Sequence, residues 1–151
     1  MQIRELMTKD PEACLATESC ADAVAIMQRR DCGFVPIVNN HAGKRVIGVV
    51  TDRDIALHLG QADDEADDVP LKACMTKEVK SIAPSASLSE AADLMERFAI
   101  HRLPVVDNGR LVGVLSLADI ARATDERMGF RDWREAEQKV TEIVEAIAAI
   151  R

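Results

Sequence analysis

His101 to Asp119 reads HRLPVVDNGRLVGVLSLAD, and Gly33 to Asp54 reads GFVPIVNNHAGKRVIGVVTDRD. Both stretches contain a β-branched run with a proline, a turn, a second run with a glycine, and a hydroxyl residue three positions before an aspartate. Short β-branched runs bounded by Asn and Gly are typical of the two strands of a hairpin. The sequence therefore predicts a hairpin followed by a helix, twice in one chain.

The similarity between the two stretches extends along most of the chain. At a shift of 68 positions, Met7-Thr8-Lys9 aligns with Met75-Thr76-Lys77, and Ser19 aligns with Ser87. A three-residue insertion near His41 then reduces the shift to 65. Internal repetition on this scale indicates one supersecondary unit used twice, in which each copy covers an apolar face that the other cannot bury alone.

Each copy is predicted to run strand, helix, strand, strand, helix, which gives an α/β (α+β) fold. Ser87 to Glu90 has capping-box spacing, and apolar residues recur at helical intervals from there to Phe98. The twin of this helix starts at Ser19. The first strands are short, near 13–16 and 80–83, and the second helices begin after the hairpins.

We divide the chain into repeat 1 (1–60), an acidic, solvated linker (61–68), repeat 2 (69–124) and a C-terminal helical extension (125–151). The extension follows a break at Gly129 and the single Trp133. Its apolar residues fall at alternating spacings of four and three: Ala136, Val140, Ile143, Ile147 and Ile150. Two heptads are too short for an autonomous coiled coil, so this amphipathic helix is expected to pack on the body or on a partner subunit.

The composition narrows the classes of function. The chain has 151 residues, 48% of them apolar, with three Phe, one Trp and no Tyr, and its net charge is −7. Too few aromatic residues are present to stack bases, and the charge repels a polyphosphate backbone, so no nucleic-acid partner is expected. Without a signal peptide or a membrane span, we expect a cytoplasmic protein with reduced thiols and no membrane partner.

Two short motifs are the sharpest chemical signals. Thr51 to Asp54 and Ser116 to Asp119 each place a hydroxyl and a carboxylate at the start of a helix that follows a strand. One interpretation is an ordinary capping box, in which the hydroxyl satisfies backbone N–H groups. The other is a ligand site, in which the helix start and the hydroxyl hold a phosphate while the carboxylate accepts from a ribose diol.

The residues before the second hairpin add a basic character to one of these motifs. Arg102 can pair with a phosphate through its guanidinium group, and the alternative is an ordinary surface cation. His101 can add a phosphate contact, and the alternative is a structural, hydrogen-bonded histidine. Gly33, the twin of His101, offers no side chain, so the two sites should differ. No catalytic constellation and no metal-ligand spacing is found in the sequence.

The segment from His101 to Asp107, with Gly113 and the Ser116 motif, resembles the cystathionine-β-synthase (CBS) repeat. Pro36, Gly48 and the Thr51 motif give repeat 1 the same resemblance, which covers roughly residues 3 to 123. It implies two β-α-β-β-α units packed sheet to sheet as a pseudo-twofold pair, a Bateman module, and usually a homodimer of such pairs.

Such modules typically bind AMP, ADP, ATP or S-adenosylmethionine and need no cofactor. On matching positions, the resemblance implies that Asp54 and Asp119 hold ribose. It also implies that Thr51 and Ser116 contact phosphate and that Arg53 assists. The residues that it places near adenine are Glu12, Gly33, Phe34, Lys80, Ile100 and His101. The unlike pairs Asp52-Arg53 and Leu117-Ala118 and the unusual first strand at Glu12 put equal occupancy of both sites in doubt.

Three functions follow from these observations. A stand-alone module of this kind is expected to sense an adenine nucleotide and to regulate an unknown partner protein in trans, because no catalytic domain is attached. The alternative is a dimerisation scaffold with vestigial or empty ligand sites. The third, an enzyme, lacks a candidate catalytic group in the sequence, and fold alone does not decide between them.

Overall fold

The computed structural model describes residues 1–126 and 130–150, so the predicted break at Gly129 lies outside the described residues. The helices are α1 Cys20–Arg30, α2 Asp52–Gln61, α3 Leu88–Phe98, α4 Leu117–Glu126 and α5 Phe130–Ile150. The strands are β1 Thr8–Lys9, β2 Cys14–Leu15, β3 Phe34–Val38, β4 Val46–Thr51, β5 Arg102–Asp107 and β6 Arg110–Ser116. The predicted mixed α+β fold, with two hairpins and helices between them, is confirmed.

The first four helices all begin with a reciprocal capping box. At α1, the Asp22 backbone N–H donates to Ser19 Oγ over 3.2 Å, and the Ser19 N–H donates to the Asp22 carboxylate over 2.9 Å. The same arrangement starts α3, where the backbone N–H of Ser87 donates to Glu90 and holds the pKa of that carboxyl below its ordinary value. Two otherwise unpaired backbone donors are satisfied at each helix start.

One compact unit is formed by Glu12–Val79 and Asn108–Leu111, and we call it the repeat-1 unit. Its sheet has the strand order β2-β3-β4, with β2 parallel and β4 antiparallel to β3. All five residues of β3 are buried. Isolated backbone pairing of Thr76 with Val49 adds residues from beyond the linker to the β4 edge of this unit.

The repeat-2 unit consists of Met1–Pro11, Lys80–Asp107 and Val112–Arg151. Its sheet has the order β1-β6-β5, and Thr8 of β1 lies opposite Val114 of β6 in antiparallel register. Ile3 is fully buried in the core of this unit. The N-terminal segment thus completes the sheet and core of the second copy, which the sequence patterns did not reveal.

Each copy therefore lends its leading segment to the unit that holds the other copy. The segment around Met7 passes over Gly113, where an added Cβ would lie 2.9 Å from the carbonyl oxygen of Thr8. Its twin around Met75 passes over Gly48, where the corresponding distance to the Thr76 carbonyl oxygen is 3.0 Å. Glycine at both positions allows this close approach of two backbones. The compact units are thus assembled across the predicted repeat boundaries.

The C-terminal helix packs within the repeat-2 unit, against α3 and α4. Ile143 is fully buried in the core, and Val140 and Ile147 pack against that core. Lys139 Nζ lies 3.2 Å from Asp93 Oδ1, an ion pair that raises the pKa of the lysine. Of the predicted stripe, the side chains of Ala136 and Ile150 lie outside the described residues, as does that of Trp133.

The linker 61–68 is exposed along most of its length and makes one contact with the core of the repeat-1 unit. Gln61 ends α2, and Ala66 packs against the core of the repeat-1 unit while its carbonyl oxygen accepts from the Ala21 N–H over 3.2 Å. The high acidic content hid this contact, because a single small apolar residue leaves no periodic pattern. Among the described helices, none combines the length and the apolar character that crossing a bilayer requires.

Candidate functional site

Each repeat brings the start of its second helix beside the residue that precedes its hairpin. In the repeat-1 unit the Asp52 N–H donates to the Gly33 carbonyl oxygen over 3.0 Å. In the repeat-2 unit the equivalent Leu117 N–H donates to the His101 carbonyl oxygen over 2.8 Å. The hairpin pairing produces this closeness, since Phe34 at the start of β3 lies opposite Thr51 at the end of β4. Gly33 and His101 are thus brought to the predicted motifs.

The hydroxyl and the carboxylate of each motif are hydrogen-bonded to one another's backbone. The Asp54 N–H donates to Thr51 Oγ1 over 3.1 Å, and the Thr51 N–H donates to Asp54 Oδ2 over 3.0 Å. The Ser116 and Asp119 pair repeats these bonds at 3.1 and 2.8 Å. The capping interpretation is therefore satisfied at both starts. Only one oxygen of each carboxylate is engaged by the cap, so capping leaves the second oxygen for another contact.

The second oxygen has a different environment in the two motifs. Asp119 Oδ1 lies 2.5 Å from Arg122 Nη2, and this carboxylate is only 10% exposed. Leu57 occupies the position of Arg122 in repeat 1, so the same contact is impossible for Asp54. A ligand hydroxyl would therefore compete with a guanidinium at Asp119, but not with the equivalent side chain at Asp54.

Asp52 is the side chain whose contact the sequence did not reveal. A Cβ added at Gly33 would lie 2.6 Å from Asp52 Oδ2, so the carboxylate occupies the space that a side chain at position 33 would take. Asp52 Oδ1 also accepts from the Arg53 N–H over 2.8 Å. The signal was available in the repeat alignment, where glycine and aspartate in repeat 1 stand in place of His101 and Leu117.

Glu12 is tied to the C-terminal end of α1 in the repeat-1 unit. Its two carboxylate oxygens lie 2.8 Å from Arg29 Nη2 and 2.7 Å from Arg30 Nε. The hydrogen bond from Arg30 lowers the pKa of Glu12 most, and the hydrogen bond from Arg29 lowers it further. The structure gives this predicted adenine-side residue an ion-pair partner within its own unit, and neither arginine was predicted at the site.

Lys80, the twin of Glu12, makes a different contact at the equivalent place. Its Nζ lies 4.4 Å from the centre of the Phe98 ring, a distance typical of a cation–π interaction. The guanidinium of Arg97 lies 5.3 Å from the same ring. Phe98 is the twin of Arg30, so a salt bridge in one repeat is replaced by a cation–π pair in the other.

The remaining predicted residues divide into polar and core positions. Arg102 Nη1 and His101 Nε2 are 3.0 Å apart in the repeat-2 unit, and both side chains are half-buried. Ile100 packs against the repeat-2 core, Phe34 is buried in β3, and Arg53 is exposed. Over residues 1–126 and 130–150, no three His, Cys, Asp or Glu side chains are grouped so that they could hold a metal ion.

Comparison with known proteins decides the family. The sequence pattern of the CBS domain matches residues 3–60 and again residues 67–126. The chain belongs to the CBS domain family. Its CBS pair is 32% identical over 130 residues to the uncharacterized protein YlbB of Bacillus subtilis, covering 85% of this chain and 86% of that protein.

Solved structures of CBS pairs resemble the chain over most of its length. The putative acetoin utilization protein AcuB of Vibrio cholerae is 32% identical with a TM-score of 0.72, and the match covers 85% of this chain and 98% of that one. The CBS domain pair of protein MJ0100, solved in complex with 5'-methylthioadenosine and S-adenosyl-L-methionine, is 26% identical with a TM-score of 0.71, covering 81% of this chain and 98% of that one.

Enzymes enter the comparison through a small part of their length. Inosine-5'-monophosphate dehydrogenase of Staphylococcus epidermidis is 32% identical over 109 residues, which is 72% of this chain but 21% of the enzyme. The match falls in the CBS part of that enzyme. CBS pairs are regulatory modules or proteins of unknown function, and the similarity supplies no catalytic domain.

Proposed function

We propose that this CBS pair binds an adenosine-containing ligand, such as AMP, ADP, ATP or S-adenosylmethionine, and that ligand binding regulates a partner protein. The observation that carries the proposal is the duplicated helix start, where a hydroxyl and a capped carboxylate with one oxygen outside the cap recur in both repeats. The positive end of a helix dipole favours a phosphate, and a carboxylate oxygen suits a ribose diol. The complex of MJ0100 with two adenosine compounds supports this ligand class.

The proposed site in repeat 1 uses Thr51 and Asp54, with Gly33 and Phe34 beside them and Arg53 to assist. That in repeat 2 uses Ser116 and Asp119 with His101 and Arg102. Glu12 in one repeat, and Lys80 and Ile100 in the other, are proposed to lie near the adenine. We also propose that the protein is a cytoplasmic homodimer that needs no cofactor and catalyses no reaction. In this proposal it binds neither nucleic acid nor a membrane. Light scattering of the full chain tests the dimer.

The alternative is a scaffold whose sites no longer bind a ligand. The observation that favours it is the use of Asp54 and Asp119 as capping residues, which explains both side chains without a ligand. Ligand-induced stabilisation distinguishes a sensor from a scaffold, because only a sensor is stabilised by the compound that it binds.

Thermal-shift measurements on nucleotide-free protein with AMP, ADP, ATP, S-adenosylmethionine and 5'-methylthioadenosine make this separation. A ligand that binds only the native state at one hundred times its Kd adds about 2.7 kcal/mol of stability, which raises Tm by several degrees. The proposal expects such a rise with at least one compound. No rise with any of them selects the scaffold.

The chain offers matched controls for the site variants. Asp54→Ala and Asp119→Ala remove a capping carboxylate as well as the proposed ribose contact, and capping losses cost about 1 kcal/mol. Asp22→Ala and Glu90→Ala remove the same capping partner at α1 and α3, outside the proposed sites. All four variants should lose similar basal stability, but only the Asp54 and Asp119 variants should weaken the ligand-induced rise. An equal weakening in all four contradicts the assignment.

Regulation of a partner is tested separately. Affinity capture of cellular proteins on the immobilised chain, with and without the compound that raises Tm, should recover a protein whose retention changes with that compound. A ligand that binds without changing the retention of any protein leaves the binding half of the proposal intact and contradicts the regulatory half.

A further inference from the structure

Two thiols of the repeat-1 unit are in contact although they lie 54 residues apart in sequence. Cys20 Sγ and Cys74 Sγ are separated by 3.3 Å. Cys20 is the first residue of α1 and is fully buried, whereas Cys74 follows a short 3-10 turn, Leu71–Ala73, and is half-buried. A disulfide bond has an S–S length of about 2.05 Å, so joining the two atoms needs an approach of only about 1.3 Å.

The main chain holds the two cysteine segments together independently of the sulfur atoms. The Cys20 N–H donates to the Val69 carbonyl oxygen over 2.8 Å, and the Leu71 N–H donates to the Glu18 carbonyl oxygen over 2.8 Å. Both segments also line the core of the repeat-1 unit, where Cys20 is a core residue and Cys74 packs against it. The two thiols are therefore presented to each other by the fold itself.

We propose that Cys20 and Cys74 form an oxidation site, which a low-molecular-weight disulfide converts into an intrachain disulfide. Cys74, the more exposed of the two, attacks as thiolate on one sulfur of oxidised glutathione and displaces a glutathione thiolate. Cys20 then attacks Cys74 Sγ as thiolate and displaces the second glutathione thiolate. The two cysteines lose two protons and two electrons, and two molecules of reduced glutathione carry them away.

The surroundings of the pair set the conditions under which it reacts. Burial, and then the hydrogen bond with Cys20, raise the pKa of Cys74 to about 12, so thiolate is scarce near neutral pH. Cys14 in β2 is buried, and burial raises its pKa to about 12 as well. We therefore expect the pair to oxidise slowly, in response to sustained rather than brief exposure to an oxidant.

Oxidation of this pair would also constrain the strand that leads to Thr51. Cys74 is followed by Met75 and Thr76, and Thr76 exchanges backbone hydrogen bonds of 2.8 and 2.9 Å with Val49 of β4. The strand β4 ends at Thr51, the cap of α2. This consequence rests on the proposed function, since it links the redox state of the pair to the proposed ligand site of repeat 1. The disulfide itself does not depend on it.

The test uses the full chain, incubated for hours with oxidised glutathione, then unfolded in denaturant, alkylated with iodoacetamide and mapped by mass spectrometry without reduction. We expect one cross-linked peptide pair containing Cys20 and Cys74, about 2 Da lighter than the two thiol peptides together, with Cys14 and Cys32 alkylated. Closing a loop of this length should raise Tm by several degrees, and dithiothreitol should reverse both changes.

Cys32→Ser is the matched control, because it removes a half-buried thiol outside the pair and should leave the cross-link intact. Cys74→Ser should abolish the cross-link and the rise in Tm, and Cys20→Ser should leave Cys74 as a glutathione mixed disulfide. Alkylation of all four thiols after oxidation, or a bridge to Cys14 or Cys32, overturns the proposal. The wild-type map decides even if a variant fails to fold, and absence of nucleotide binding leaves this result unaffected.

Discussion

The two repeats build the same main chain around the start of their second helix and place different side chains on it. The hydrogen bond from Asp52 to Gly33 and the bond from Leu117 to His101 have almost the same length, 3.0 and 2.8 Å. The side chains at these four positions share neither size nor charge. Backbone hydrogen bonding and capping thus preserve the scaffold, while the chemistry presented at the helix start has diverged.

The same divergence appears where the twin residues Glu12 and Lys80 meet the C-terminal end of the helix that follows each of them. Glu12 is paired with two arginines in the repeat-1 unit, and Lys80 lies over a phenylalanine ring in the repeat-2 unit. The contact with the helix end is kept, but the charge at this position changes from negative at Glu12 to positive at Lys80. The two proposed sites are therefore chemically unequal, and a single ligand should bind to them with different affinities.

A third difference concerns the helical face of each unit. Ala92 on α3 is fully buried in the repeat-2 unit, to which α5 contributes Ile143. Its twin Val24 on α1 is 42% exposed in the repeat-1 unit. The C-terminal helix therefore makes the stability of the repeat-2 unit depend on residues that have no counterpart in repeat 1.

The largest expected effect tests this dependence. Ile143→Ala removes a fully buried side chain and should cost about 2–5 kcal/mol of unfolding free energy, measured by urea denaturation. Val144→Ala is the matched control, because Val144 is the next residue along the helix and its side chain is 49% exposed. Its substitution should change the free energy of unfolding by no more than about 0.5 kcal/mol. A cost below about 1 kcal/mol for Ile143→Ala would show that α5 adds little to the repeat-2 core.

A smaller effect is expected from adding a side chain at Gly33, whose twin in repeat 2 is His101. Gly33→Ala places a Cβ against the Asp52 carboxylate and should cost about 1 kcal/mol, because that side chain must move. The same substitution in an Asp52→Ala background should cost clearly less, and a double-mutant cycle by urea denaturation measures the difference. His101→Ala is the control in repeat 2, where a Cβ is already present. Equal costs in both backgrounds would show that Asp52 does not impose glycine at position 33.

Much of the fold could be predicted from the sequence because its signals are local. The capping box at Ser87 and the helical spacing of apolar residues predicted α3 at Leu88–Phe98, and the structure has the helix at those bounds. The hairpins followed from β-branched runs and from the alignment of the two copies. The exchange of leading segments could not be predicted, since the two-residue strand β1 carries no periodic pattern to show which copy Thr8 joins.

The site shows the same limit of local signals. The motifs at Thr51 and Ser116 were identifiable because repetition drew attention to them, and the helix starts have the predicted capping geometry. The partners of Glu12 and Asp119 were not identified, because Arg30 and Arg122 look like ordinary surface cations in the sequence. Their positions are set by how helices pack, and an individual charged residue gives no sign of that packing.

The smallest expected effect tests the opposite charges of the twin residues Glu12 and Lys80. Because Arg30 and Arg29 lower the pKa of Glu12 in the folded state, the pair stabilises the fold at neutral pH and loses that contribution as the pH falls through the range in which glutamate titrates. The pair is exposed, so Glu12→Gln should lower Tm by at most about 2 °C at neutral pH and by less at about pH 3. Lys80→Gln is the control, because Lys80 contacts a phenylalanine ring and not a carboxylate, and its effect on Tm should be the same at both pH values. A Glu12→Gln effect that does not shrink with acid would show that the two arginines do not hold this carboxylate in solution.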